Sequence, residues 1–239
     1  MTVEPPTQTA NATPSGRMTC AGENAAIFAM PLHDVTFESR VASVLPLALR
    51  ENPSAVLDIG CNRGELLGRF PTAIRRCGID CLDPGAVSPG FEYRQRDVAK
   101  GLPFGEGEFD VVLAGEVVEH LLDTIAFLRE CRRVLRPGGV VLLTTPNLAY
   151  WRNLLQWMRQ QQFFFVDHRA GENGHVRYFA PRTLRAVMME AGLRVEALFS
   201  VGDLPTSASG LLRAVGKISM RCFPMRNLSL IATARRVEP

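Results

Sequence analysis

The sequence predicts an α/β fold in which a mostly parallel, seven-stranded sheet with an antiparallel last strand is covered by helices on both faces. Three observations predict it. Between residues 55 and 234, short apolar runs alternate with amphipathic stretches, the pattern of strands buried on both faces and joined by crossovers. The first run ends in a glycine-bearing turn, Val56-Leu57-Asp58-Ile59-Gly60-Cys61-Asn62-Arg63-Gly64, after which a helix is expected to start. Finally, 239 residues, 46% of them hydrophobic, suffice to bury one substantial core.

Residues 1–22 are rich in Thr, Pro, Ala and Asn, so too little apolar surface is present to offset the entropy of ordering, and a disordered tail is expected. Residues 23–239 read as one domain. From Val35 to Leu49, Phe37, Val41, Val44, Leu45 and Ala48 recur at helical spacing, and Glu51-Asn52-Pro53 ends that helix. Pro46 is expected to kink or split it. Strands are predicted at 55–59, 77–80, 92–95, 109–114, 139–145, 193–200 and 228–234. A helix is predicted ahead of Pro137, with Leu121, Leu122, Ile125, Leu128, Val134 and Leu135 on one side and Arg129, Glu130, Arg132 and Arg133 on the other. Pro137-Gly138-Gly139 is expected to stop it. Only residues 81–91 separate the second strand from the third, fewer than a crossover helix needs, so a loop or single turn is predicted there.

Composition excludes some functions and names none. A balance of 27 basic against 24 acidic residues, net +3, lacks the asymmetry of a dedicated nucleic-acid binder. Six cysteines without a C-x-x-C pair read as reduced thiols rather than a disulfide framework or zinc knuckle. No secretory leader and no apolar run of the ~20 residues that span a bilayer is visible, so a soluble, cytoplasmic protein is expected.

Glycines at the 60–64 turn let the backbone approach a ligand closely, although such a turn also occurs in dinucleotide-binding enzymes and in purely structural settings. Asp80 closes the second strand, where a carboxylate can accept hydrogen bonds from both ribose hydroxyls. Asp97-Val98 follows the third strand, within reach of an adenine ring. Glu116-Val117-Val118-Glu119-His120 follows the fourth strand. If a helix begins there, Glu116, Glu119 and His120 share a face and, with His175, suit Mg2+ or another divalent cation. Without a metal, His175 or His120 would be the catalytic base, or the segment would only bond a ligand and cap a helix.

The stretch Tyr150 to Met158 holds both tryptophans and is followed by Phe163-Phe164-Phe165. It reads as part of an aromatic lid at about 146–180 over an apolar or ring-bearing acceptor. Ordinary packing competes with that, as does an interfacial helix giving peripheral membrane contact, which would also suit Leu211, Leu212, Val215 and Ile218 beside Arg213, Lys217 and Arg221.

Four segments in order resemble the class I S-adenosylmethionine-dependent methyltransferases over roughly residues 35–200: Asp58 to Gly64, Gly78-Ile79-Asp80, Arg96-Asp97-Val98 before Leu102-Pro103-Phe104, and Phe109-Asp110-Val111-Val112 with Leu135-Arg136-Pro137-Gly138-Gly139. The resemblance implies a Rossmann-like three-layer sandwich and S-adenosyl-L-methionine as cofactor. Asp58, Gly60, Asn62 and Gly64 would hold the methionine part, Asp80 the ribose, and Asp97 with Val98 the adenine. Asn62 stands where that family commonly has glycine, and asparagine tolerates the left-handed backbone required.

The Glu-x-x-Glu-His segment is similar to ubiquinone-biosynthesis O-methyltransferases and small-RNA 2'-O-methyltransferases that use a metal. Residues 144–192 also look like sugar and natural-product methyltransferases. They look, too, like a methionine-biosynthesis accessory protein that acts through a partner enzyme, although its family lacks the Glu-x-x-Glu-His pattern. The resemblance implies methylation of an oxygen on a small molecule, lipid or glycan, with a non-catalytic accessory subunit as the alternative.

Overall fold

The computed structural model describes residues 35–161, 174–201 and 228–237. The tail at 1–22, Phe163 to Phe165 and the stretch from Leu211 to Arg221 lie outside the described residues. A helix α1, Val35–Arg50, leads into β1, Ala55–Ile59, whose five residues are all buried. Strands β2, Arg75–Asp80, β3, Glu92–Gln95, and β4, Phe109–Gly115, follow. Helix α2, Thr124–Val134, precedes β5, Leu135–Pro146. The remainder is α3, Trp151–Gln160, α4, Pro181–Glu190, β6, Leu193–Val201, and β7, Ser229–Arg236.

The strands form one seven-stranded sheet in the order β3-β2-β1-β4-β5-β7-β6. Pairings are parallel from β3 through β5, whereas β7 runs antiparallel between β5 and β6. The predicted sheet, with its antiparallel last strand, is thus the one observed. Its order reverses between β1 and β4, and ligands of open α/β sheets bind beyond the carboxyl ends of the strands at such a point.

Alternate residues of each strand feed two cores. One face packs Phe109, Leu128, Leu135, Leu184 and Met188 beneath α2 and α4, with Phe104 and Phe109 edge-to-face at 5.0 Å. The other packs Val44 and Ala48 of α1 on Val56, Leu113, Leu142 and Ile231.

Several expectations need correction. Pro46 does not split α1, which runs continuously. The proline is exposed, while Val41, Val44 and Ala48 on the opposite side hold the turns against the sheet. No α-helix starts after the Gly60 turn, and the β1–β2 connection holds only a 3-10 turn at Leu67–Arg69. The β2–β3 connection, by contrast, is as predicted: it holds a single 3-10 turn, Pro84–Ala86.

Phe91 ties these two helix-less connections together. A Cβ at Gly64, which has φ +83°, would lie 2.1 Å from the Phe91 ring, and one at Gly78 would lie 2.9 Å from it. Helix α2 begins at Thr124, after Leu121 and Leu122, where the Asp123 carboxylate accepts the Ala126 N–H at 2.9 Å. Pro137, Gly138 and Gly139 do not merely stop that helix: they lie within β5, beside an irregularity in its pairing with β4.

Of the expected lid, residues 162–173 lie outside the described set. In the rest, Tyr150 and Trp151 are buried, while Trp157 and Met158 are exposed. No helix among the described residues is long and apolar enough to cross a membrane.

Candidate active site

At the reversal between β1 and β4 lies a cleft of about 850 Å³. Its floor is the Gly60 turn, held to the next strand by the Gly60 N–H on the Ile79 carbonyl at 2.8 Å. Gly60 (φ 71°) and Asn62 (φ 50°) are both left-handed, and asparagine occupies this position as its side-chain chemistry allows. The Asn62 N–H donates to Asp80 Oδ2 at 2.8 Å, while Asp80 Oδ1 accepts the Cys81 N–H at 2.7 Å. Asp80 is thereby fixed on the cleft wall, and a carboxylate's remaining lone pairs can still accept from a ligand.

Asp58, Gly60, Asn62, Asp80, Asp97 and Val98 all line the cleft, as expected, but Gly64 is absent from its wall. Gly64 has a packing task as well: its missing side chain makes room for Phe91. Asp97 also has a local task, capping the turn at Val98–Lys100 through the Ala99 N–H at 3.0 Å. Burial, and secondarily Asp80, push the Asp58 carboxyl up to about 8. A cationic ligand group beside these two carboxylates would relieve that strain.

The Glu-x-x-Glu-His segment does not form the expected helix. Glu116 has φ 55°, and only a 3-10 turn, Val118–His120, follows before α2. The two glutamates consequently part. Glu116 Oε2 pairs with Arg40 at 3.1 Å, and its Oε1 accepts from the Thr144 hydroxyl at 3.1 Å. Burial raises its carboxyl, an effect Arg40 and Thr144 oppose.

Glu119, almost fully buried, instead joins His120 and His175, with one potential ligand atom from each lying within 4.8 Å of the others. Three of the four residues expected to share a cation are brought together, and Glu116 is not among them. His175 arrives because the Glu119 carbonyl accepts the N–H groups of Val176 at 2.9 Å and Arg177 at 3.0 Å. The Arg177 guanidinium also donates to the Leu122 carbonyl. The two imidazoles meet edge-to-face at 4.9 Å.

Thr145 donates to Glu119 Oε2 at 3.0 Å, and Glu119 Oε1 is buried with no hydrogen-bond partner among the described residues. Burial, then the Glu116 charge, push the Glu119 carboxyl well above its ordinary range. Burial, then His175, pull His120 down to about 4 against its bond to the Gly174 carbonyl, so its ring is neutral near pH 7. His120, Gly174 and Val176 line the cleft, which joins this cluster to the Gly60 turn.

Sequence reasoning missed Arg40, and it placed Thr144 and Thr145 at the ligand-facing end of the fifth strand without a partner for either. The signal for Arg40 was its place on the apolar stripe of α1, one helical turn before Val44 and two before Ala48, where a solvated arginine does not belong. The threonines are the polar end of the apolar run Val140 to Leu143.

A family model described as a methyltransferase domain matches residues 35–198. The chain belongs to that family. This methyltransferase domain is 30% identical over 170 residues to a mitochondrial ubiquinone biosynthesis O-methyltransferase of Homo sapiens, an alignment covering 65% of the chain and 45% of that protein. It therefore spans less than half the length of the human relative. A ubiquinone biosynthesis O-methyltransferase of Pseudomonas aeruginosa is 30% identical over 164 residues, covering 61% of the chain and 67% of the relative. A solved SAM-dependent methyltransferase from Archaeoglobus fulgidus superposes with a TM-score of 0.59 at 19% identity over 82% of this chain and 91% of that one, a likeness of fold. Family membership implies S-adenosylmethionine as the cofactor, and the left-handed turn, Asp80 and the acidic cleft suit it.

Proposed function

We propose that this domain transfers the methyl group of S-adenosylmethionine to an oxygen of a small-molecule, lipid or glycan acceptor. The observation that carries this is the meeting of Glu119 and His175 with His120, which itself lines the cleft that holds the Gly60 turn. Asp58, Gly60 and Asn62 hold the methionine part, whose carboxylate pairs with Arg40. Asp80 takes the ribose, and Asp97 with Val98 flank the adenine. The acceptor enters beside His120, Gly174 and Val176, beneath a lid formed by part of 146–180.

The sulfonium is already an excellent leaving group, so the protein's work is alignment and removal of the acceptor proton. Oxygen attacks the methyl carbon in line, the carbon–sulfur bond breaks, and the hydroxyl proton passes to a base. His120, held near 4, is a weak base at neutral pH, which leaves His175 in that role.

The same three side chains also fit a divalent cation. Their donor atoms converge, Glu119 retains an unpartnered oxygen, and His120 is neutral as a ligand must be. Two imidazoles and one carboxylate are a more nitrogen-rich donor set than a site that also held Glu116, and they suit a first-row transition ion such as Mn2+, Fe2+ or Zn2+ better than Mg2+. When bound, such a cation lowers the pKa of an acceptor hydroxyl.

The test is transfer of labelled methyl to a panel of ortho-dihydroxy aromatics and sugars. A labelled methyl ether is expected, falling about 100-fold or more in Glu119→Ala and His175→Ala. Label on amines with none on hydroxyls would overturn the choice of oxygen. Cofactor binding without transfer, together with stimulation of a separate enzyme, would establish the accessory alternative.

A further inference from the structure

Thr144 and Thr145 are consecutive at the carboxyl end of β5, where successive side chains point to opposite faces. Both are buried, at 4% and 0% exposure, in a strand whose preceding residues from Val140 to Leu143 are all apolar. Each hydroxyl bonds a different glutamate of one short segment: Thr144 takes Glu116 Oε1 at 3.1 Å and Thr145 takes Glu119 Oε2 at 3.0 Å. The carboxylates so held have different company, Arg40 at 3.1 Å for Glu116 and the two histidines for Glu119. The left-handed backbone at Glu116, whose N–H bonds the Thr144 carbonyl at 3.0 Å, is what lets side chains three residues apart separate in this way.

We propose that Thr144 and Thr145 are positioning residues that sort the two glutamates, Thr144 keeping Glu116 with Arg40 on the cofactor side and Thr145 presenting Glu119 to a divalent cation shared with His120 and His175. A hydroxyl that donates to one carboxylate oxygen fixes the rotamer and aims the other, the task of outer partners at metal sites. For Glu119 the other oxygen is Oε1, buried and without a hydrogen-bond partner among the described residues. The proposal rests on the cation reading given above and adds the residues that make Glu119, rather than Glu116, the ligand.

The experiment is calorimetric titration of the intact chain with Mn2+ and, separately, with S-adenosylhomocysteine, for the wild type, Thr144→Val, Thr145→Val and Thr145→Ser. Thr145→Val is expected to weaken Mn2+ about 10- to 100-fold while leaving S-adenosylhomocysteine affinity within about twofold, and Thr145→Ser to restore Mn2+ binding. Thr144→Val should show the converse, weakening S-adenosylhomocysteine and sparing Mn2+. Retained S-adenosylhomocysteine binding by Thr145→Val also certifies that this variant is folded. If the wild type binds Mn2+ and Thr145→Val binds it equally well, the threonine assignment is overturned and the cation reading stands. If the wild type binds no Mn2+, the cation reading falls and takes the assignment with it.

Discussion

Arg40 shows how one side chain can change the meaning of a motif. Read as a string, Glu116 to His120 offers two carboxylates and an imidazole on one helical face. In the fold, a cation from a helix 76 residues earlier claims the first carboxylate, and a left-handed φ at Glu116 prevents the helix. Arg40 is 21% exposed at its side chain, so solvent weakens its pairing only in part. If it receives the cofactor's carboxylate, Arg40→Gln should weaken S-adenosylhomocysteine by about 10- to 100-fold, the loss of a charge-assisted hydrogen bond worth about 1.5–3 kcal/mol. Titration calorimetry reads this directly, and an unchanged affinity would remove Arg40 from the site. Asp58, Asp80 and Asp97 were legible in sequence because each lies at or just beyond the carboxyl end of a strand, at the ligand-facing edge. Arg40 was not, because its relevance depends on which way α1 lies across the sheet.

Between elements, Asp110 ties three of them together at the end of the sheet remote from the cleft. It sits in β4, and its Oδ2 accepts the Ser54 and Ala55 N–H groups at 2.7 and 2.9 Å, where β1 begins. Its Oδ1 pairs with Arg136 of β5 at 2.6 Å. Burial alone would push this carboxyl up, but Ala55, Arg136 and Ser54 together hold it below its ordinary value. A folded-state pKa below the unfolded one stabilises the fold above the unfolded value near 4 and loses that contribution as pH falls through the folded value. Asp110→Asn is accordingly expected to cost about 2 kcal/mol at pH 7 and progressively less as the pH drops below 4, measured from urea midpoints at each pH. A cost that is the same at both ends of the range would show that the charge is immaterial. The short connections around Phe91 belong to this scale too: only the β2–β3 turn was predicted, because its length forbids a helix. The β1–β2 connection was long enough for one, and left-handed residues at 60, 62 and 64 denied it.

Over the whole molecule, the cleft is assembled from α1, the carboxyl ends of β1, β2 and β4, and the returning segment at 174–176, so it exists only in the folded state. A ligand that needs all of these parts stabilises the fold by mass action. S-adenosylhomocysteine at 100 times its dissociation constant should add about 2.7 kcal/mol and raise the melting temperature by about 5–10 °C. Asp80→Ala should largely abolish that shift in a thermal-denaturation assay. A full shift in the variant would place the ligand elsewhere.

The sequence by itself determined the sheet, strand by strand to within a few residues, because apolar runs buried on both faces and the turn residues between them are local signals that tertiary contacts here reinforce. It also marked the edge of the sheet where ligand-facing carboxylates gather. The tertiary structure alone decided which groups meet. It gave Glu116 to Arg40 and Glu119 to the histidines, carried His175 to Glu119 through two backbone hydrogen bonds, and seated Phe91 against Gly64. Those outcomes rest on side-chain directions and on contacts between segments distant in the chain, and neither is written in the local order of residues.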